Sequence, residues 1–296
     1  MKTLENVTYV QSANSLFHFM KEPQYLYWAL ENKGLAPRYC EEKIKYLNIG
    51  FDRIYVLQKC FCDIQLHQLF EKFPLRLENE SVELSQQQYN ELRDSNNHVE
   101  LYGKYGLAFS KEWCENNNFQ PIHYLNTKSS YVKEFQDTFR YAINQENLSD
   151  EIYLDILGRL SYFKPLAGEM TRRIDGIVVP IIKNFHDERE WRYIPKRCEL
   201  EDMKLERILY NSNLVQNVDT INDNLQTSDY RKIWIKFDYE DIEYIIVPDN
   251  MARLNLINYI MKKIPDNSFK DSDLVDNQRY VMISKILVLD EIRKDW

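Results

Sequence analysis

Apolar positions recur along this chain in two rhythms, one of period two and one of helical spacing. Ser15-Leu16-Phe17-His18-Phe19-Met20 reads as a short strand, and Glu22-Pro23 behind it as a helix start. Tyr25 to Asn32 keeps helical spacing, and Lys33-Gly34 closes it, the glycine suiting a left-handed cap. Arg53-Ile54-Tyr55-Val56-Leu57 and Lys59-Cys60-Phe61-Cys62-Asp63-Ile64 are rich in strand formers and either pair or run on as one strand. A helix is expected from Leu66 to Phe73, stopped by Pro74. Residues 76 to 98 are polar and acidic and read as an insertion or as an exposed helix with loops.

Tyr102-Gly103-Lys104-Tyr105-Gly106 is a turn entering a strand, and Ser110 caps a short helix begun by Lys111-Glu112-Trp113. Pro121 to Leu125 returns as a strand. Tyr131 to Ala142 and Asp150 to Phe163 carry apolar residues at helical spacing, and Lys164-Pro165 ends the second. Further on, Lys232 to Phe237, Asp241 to Pro248 and Tyr280 to Leu289 read as strands, with a helix capped by Asn250 between the last two. Strands and helices interleave irregularly, which places the chain in the α+β class.

The chemistry concentrates in His186-Asp187-Glu188-Arg189-Glu190-Trp191-Arg192-Tyr193, just after the apolar run Ile177 to Ile182. On a strand, Glu188, Glu190 and Arg192 share one face. Two carboxylates so placed repel each other, and a fold keeps them either because water solvates them or because a site uses them. An ion-pair ladder of Glu190 and Arg192 with a neighbouring strand is the plain alternative.

The 296 residues are 44% hydrophobic and 28% charged, as in an ordinary globular protein, and 21 tyrosines are more than usual. Seven glycines and no glycine-rich phosphate loop argue against P-loop and Rossmann sites. The net charge of −8 argues against a broad nucleic-acid coat. Met1 to Asn6 lacks the apolar core of a signal peptide, and no apolar run reaches membrane-spanning length. A cytoplasmic protein with five reduced cysteines is therefore expected, with no membrane partner. Cys60-x-Cys62-Asp63 with His67 matches no standard zinc spacing, and no metal is expected. Lys164-Pro165 with Arg172-Arg173 forms either a small phosphate or nucleic-acid patch or a helix end with solvated arginines.

Four segments in fixed order, Phe17-His18-Phe19, Cys60 to Ile64, Tyr102 to Trp113 and Glu188 to Arg192, resemble the AbiGi family of bacterial abortive-phage-infection proteins. That resemblance implies a role in phage resistance and a toxin, antitoxin or other defence partner. The order of a strand histidine, a tyrosine segment and a late glutamate strand also resembles the His-Tyr-Glu class of ADP-ribosyltransferases, the DarT-like enzymes among them. This second resemblance implies a split mixed β-sheet core holding NAD, with a nucleic acid, a protein or water as acceptor. It makes Glu190 and Glu188 the candidate catalytic acids, and His18, Tyr102, Tyr105 and Arg192 the candidate cofactor-binding residues, with the choice between the tyrosines and between the glutamates open. Residues 1–200 would form that core with its polar insertion near 76–98. Residues 201–296 would be a C-terminal strand-helix-strand extension packed on it as one unit.

The chemistry suits such residues. Cleaving a nicotinamide–ribose bond builds positive charge on the sugar, which an adjacent carboxylate stabilises. Glu190→Gln, which removes charge at constant volume, is expected to abolish turnover and leave the fold. The rival expectation is a non-catalytic antitoxin or sensor subunit, with the helix near Asn250 to Lys262 facing a partner protein.

Overall fold

A long strand, Arg53–Cys62, runs through the middle of the molecule and is paired along both edges by different strands at its two ends. The computed structural model describes residues 12–78, 83–145, 149–210, 214–264 and 275–295. The N-terminal Met1 to Asn6 lies outside the described residues. The described strands in chain order are β1 Ser15–Met20, β2 Gly34–Leu35, β3 Arg38–Lys43, β4 Arg53–Cys62, β5 Tyr105–Ser110, β6 Phe119–Pro121, β7 His123–Leu125, β8 Phe163–Pro165, β9 Ala167–Ile174, β10 Ile177–Asn184, β11 Glu190–Tyr193, β12 Ile208–Leu209, β13 Ile235–Lys236, β14 Ile242–Val247 and β15 Ile286–Val288.

Nine of them form one mixed sheet in the order β15-β14-β5-β1-β4-β11-β6, with β3 and β12 also on β4. Only the β14–β15 pair in it is parallel. The chain after residue 200 thus supplies β14 and β15 to this same sheet, β14 pairing directly with β5. β1 alternates as its pattern predicts. Leu16 and Met20 join the core under the helices Pro23–Asn32 and Asn250–Lys263, while Phe17 and Phe19 enter a second core with Leu69 and Ile246.

β1 and β4 meet at one register pair only, Phe17↔Cys62, whereas β1 follows β5 for six. On the Cys60 side of that pair, from His18 onward, the two strands part. Gly103 fixes the other wall of the gap. Its φ is +130°, and a Cβ there would stand 2.1 Å from the Met20 carbonyl oxygen, so only glycine lets the helix His98–Tyr102 close onto β1.

Several elements differ from the sequence reading. Of the two readings open for the segments around residue 58, the single strand holds, because Val56, Leu57 and Gln58 are all buried and the ladder never breaks. Leu66 to Phe73 shortens to a 3-10 turn, Leu66–Phe70. Lys33, not Gly34, takes the left-handed cap, and Asp249, not Asn250, caps the last long helix by accepting from the Ala252 N–H at 2.8 Å. Tyr280 to Leu289 is mostly not a strand. The helix Val275–Ser284 fills its first half, and Tyr280 and Val281 are both exposed, which breaks strand alternation. Lys232 to Phe237 keeps only Ile235–Lys236 as strand after a 3-10 turn, Ser228–Ile233, since Ile233, Trp234 and Ile235 are buried in succession.

Candidate functional site

Cross-strand register assembles a charged face on the sheet. Glu190 stands opposite Cys62 and Arg192 opposite Cys60, while Cys40 stands opposite Val56 and Glu42 opposite Ile54. Paired residues share a face, so Glu42, Gln58, Cys60, Cys62, Glu190 and Arg192 all look the same way. Glu188 joins them from the 3-10 turn Phe185–Glu188, through a left-handed Arg189 at φ 44°.

Three acids and three bases meet there. Arg192 donates to Glu190 Oε1, to Glu42 Oε1 and to the Ser161 carbonyl oxygen, each at 2.6 Å. Lys164 Nζ bridges the two glutamates, 3.1 Å from Glu188 Oε2 and 2.8 Å from Glu190 Oε2. Lys183 Nζ lies 2.8 Å from Glu188 Oε1 and donates to the Tyr102 hydroxyl at 2.7 Å, and that hydroxyl donates in turn to Glu188. The Lys183 ammonium also sits 4.4 Å from the centre of the Tyr102 ring.

Burial by itself would raise both carboxyl groups, but the facing cations overcome it. Lys164 and Lys183 hold Glu188 below the usual carboxylate range, and Arg192 with Lys164 does the same to Glu190. Burial would lower Lys164, yet Glu188 and Glu190 keep it well above the ordinary lysine value. Lys183 is pulled below that value by burial, against Glu188. Burial and the Glu188 charge raise the Tyr102 hydroxyl, so it stays a donor.

A cavity of about 230 Å³ opens on this face where β1 and β4 part. His18, Tyr102, Glu188 and Glu190 line it, together with Lys164 and His98. His18 Nδ1 lies 2.9 Å from the Cys60 carbonyl oxygen, and burial, with Lys59 nearby, lowers the ring well below the usual histidine range. His98 Nε2 is 3.3 Å from Cys62 Sγ, and burial, with Lys183, pushes the ring down to about 3. Burial and the charges of Glu188 and Asp63 raise the Cys62 thiol, so this pair is a neutral contact rather than a thiolate nucleophile. Among the described residues, His98 Nδ1 and Gln58 Oε1 are buried without a hydrogen-bond partner, and both residues belong to the cavity wall. An outer groove of about 550 Å³ adjoins at His18, Phe19 and Tyr102 and carries Lys21, Arg38 and Lys59 on its walls. Burial pushes Lys59 down to about 8.

The structure therefore brings His18, Tyr102, Glu188 and Glu190 together and leaves two candidates out. Tyr105 starts β5, stands opposite Met20 and lines neither chamber. Arg192 is wholly buried, donates to Glu190, Glu42 and the Ser161 carbonyl, and lines neither chamber, so it positions Glu190 rather than touching a ligand. Glu190 and Arg192 pair with each other within β11 and also with Lys164 on β8 and Glu42 on β3, so the ion-pair ladder between strands is present as well, but buried. Glu190→Gln is no longer a change neutral to the fold, because two cations lean on that carboxylate.

Sequence reasoning missed Lys164, Lys183, Glu42 and His98. Lys164 does not end a helix beside an arginine patch. It lies on β8 facing the glutamates, while Arg172 on β9 bonds Ser95. The apolar run before Glu188 ends in Lys183, and a lysine closing a buried strand just ahead of two acids was the available signal. Among the described residues no group of three His, Cys, Asp or Glu could hold a metal ion, and Asp63 pairs with the buried Lys111 at 2.6 Å. No helix among the described residues is long and apolar enough to cross a membrane.

Fold and site define an α+β protein with a buried ion-pair cluster at the floor of a cleft. The chain belongs to the AbiGi family. The family model, described as abortive phage resistance protein AbiGi, antitoxin, matches residues 80–248, which hold Tyr102, Lys164, Lys183, Glu188, Glu190 and Arg192. An abortive phage resistance protein AbiGi of Lactococcus lactis subsp. cremoris is 30% identical over 277 residues, covering 89% of this chain and all of that protein. No solved structure gives a significant match.

Proposed function

We propose that this protein acts in abortive phage resistance by breaking the base–ribose bond of NAD in the cleft between β1 and β4, as an ADP-ribosyltransferase-like effector. One observation carries the reading. His18, Tyr102, Glu188 and Glu190, from three separate segments, converge on one cavity. Two buried polar atoms without partners on its wall, His98 Nδ1 and Gln58 Oε1, suit a carboxamide or ribose hydroxyls. The outer groove, with Arg38 and Lys59, suits the diphosphate of the same molecule.

In this reading a glutamate stays ionised beside the sugar and stabilises the positive charge that builds as the base leaves. Lys164 and Arg192 keep the carboxylates ionised and fixed in place. His18 donates no proton to the leaving base, because its ring is held neutral. Water, a protein or a nucleic acid then takes the ribosyl group.

The test is NAD consumption by the purified protein, alone and with extract of infected cells, comparing wild type with Glu188→Gln, Glu190→Gln and His18→Ala. Turnover lost in a variant that keeps its circular dichroism supports the reading and names the residue. No turnover in either condition, with no NAD binding by calorimetry, sinks it.

A second reading draws on the family's antitoxin description and on the helix Asn250–Lys263. That helix buries Leu256 and Ile260 and leaves Met251, Leu254 and Met261 exposed, with Tyr280 and Val281 of the next helix exposed as well. Such a surface suits a partner protein.

A further inference from the structure

A second cavity of about 550 Å³ lies away from the cleft, walled by Phe119, Phe135, Phe139, Tyr162 and Phe163. His123 and the exposed Arg159 also line it, and among the described residues Arg159 makes no ion pair. The aromatic walls already touch one another, with Phe135 and Phe163 centroids 5.0 Å apart and His123 and Phe163 5.4 Å apart. A flat ring would therefore lie on their open faces, and an anionic group would reach the guanidinium.

The position of this cavity gives it a consequence. β7 and β8 pair in parallel, His123 opposite Phe163 and Tyr124 opposite Lys164. Successive strand residues point to opposite faces. The pair thus presents His123 and Phe163 to the aromatic cavity and Tyr124 and Lys164 to the glutamates. Tyr124 accepts the Glu190 N–H at 2.8 Å, and Lys164 bridges both carboxylates. A single backbone layer separates the two sites.

We infer that the aromatic cavity binds a small planar aromatic anion of the nucleoside monophosphate type, and that this ligand, by fixing β7 and β8, controls how firmly Tyr124 and Lys164 hold Glu188 and Glu190. The inference does not depend on the chemistry proposed for the cleft. A ligand that binds the fixed arrangement better shifts the population toward it, and the glutamates shift with it.

The probe is AMP, with ribose 5-phosphate as the ring-free control. Calorimetry on the full chain should show AMP binding, with ribose 5-phosphate at least about ten-fold weaker because the stacking ring is gone. Arg159→Gln, an exposed change that spares the fold, should weaken AMP about ten-fold or more, and Gln120→Trp, which fills the cavity from its rim, should abolish binding. Hydrogen exchange at the Glu190 amide should slow with AMP in wild type and not in Arg159→Gln. The assignment of the site is overturned if wild type fails to bind AMP at millimolar concentration. It is also overturned if both variants bind unchanged, or if His18→Ala alone removes binding, which would place AMP in the cleft. Binding without any change in exchange at Glu190 overturns the coupling.

Discussion

His18 Nδ1 lies 2.9 Å from the main-chain carbonyl oxygen of Cys60, across the gap where β1 has left β4. A carbonyl oxygen only accepts, so Nδ1 carries the proton and Nε2 of the neutral ring is left as an acceptor. A side chain thus replaces a ladder hydrogen bond at the point where the sheet splits, and the cleft begins there.

Removing that ring should change binding more than stability, since His18 is half-buried at the rim. If the cleft takes NAD as proposed, His18→Ala should weaken its binding about ten-fold or more, while His18→Asn, which restores a donor, recovers part of it. Calorimetric titration with NAD checks this, and equal binding by all three proteins would remove His18 from the site.

Glu190→Gln leaves Arg192 with Glu42 and Lys164 with Glu188 as their remaining acids. Breaking a buried pair by altering one partner costs about 3–5 kcal/mol, and the shared partners here should bring the loss to the lower end. Urea unfolding midpoints against wild type measure it. A loss near zero would mean that water already reaches this carboxylate.

Acid should weaken the protein in two stages. His98 is pushed down to about 3 in the fold, so between about pH 6.5 and 3 the unfolded chain binds a proton that the fold refuses. Stability is full above that window and falls as pH drops through it, by about 1.4 kcal/mol per pH unit for one group. Glu188 and Glu190, both held below the usual range, add their loss below about pH 4.5. Denaturant midpoints at pH 7.5, 5.5 and 4 should show both stages, and His98→Leu should make the first shallower without removing it, because the His18 ring is also held well below its usual range. An unchanged slope in that variant would assign the stage elsewhere.

Gly103→Ala should cost about 3 kcal/mol or more, because it adds left-handed strain to a collision with the Met20 carbonyl. Gly50→Ala, also at positive φ but in open space, carries only the strain. Comparing the two melting temperatures separates the terms, and equal losses would show that Met20 yields.

Leu254 is exposed on the helix Asn250–Lys263, so Leu254→Asp should move stability by no more than about 0.5 kcal/mol. If that face docks a partner protein, the same change should abolish co-purification of the partner from the native host. Retained co-purification would dismiss the face.

The clustering of Glu188, Glu190 and Arg192 on one face is legible in the sequence, because strand alternation is a property of the backbone. His18 and Tyr102 are legible only as members of an ordered set, in which Tyr105 fits equally well. What separates the tyrosines is Gly103. Tyr102 ends a helix on one side of it and turns toward Glu188, while Tyr105 starts a strand on the other side. The apolar run from Tyr280 misleads because both its helix and its strand bury apolar residues, and period alone does not divide them.

The sequence by itself determined the α+β class, most of the strands around the cleft, the family and the acids at its centre, since these rest on local periodicity and on residue identity. Only the tertiary structure decided that Lys164, Lys183, Glu42 and His98 belong with those acids, that Arg192 lies beneath the site, and that β14 and β15 extend the sheet holding β1. Those facts come from pairing between residues far apart in the chain. Ion pairs such as Arg192–Glu42 exist only once burial makes each charge need the other, and no local pattern in the sequence carries that need.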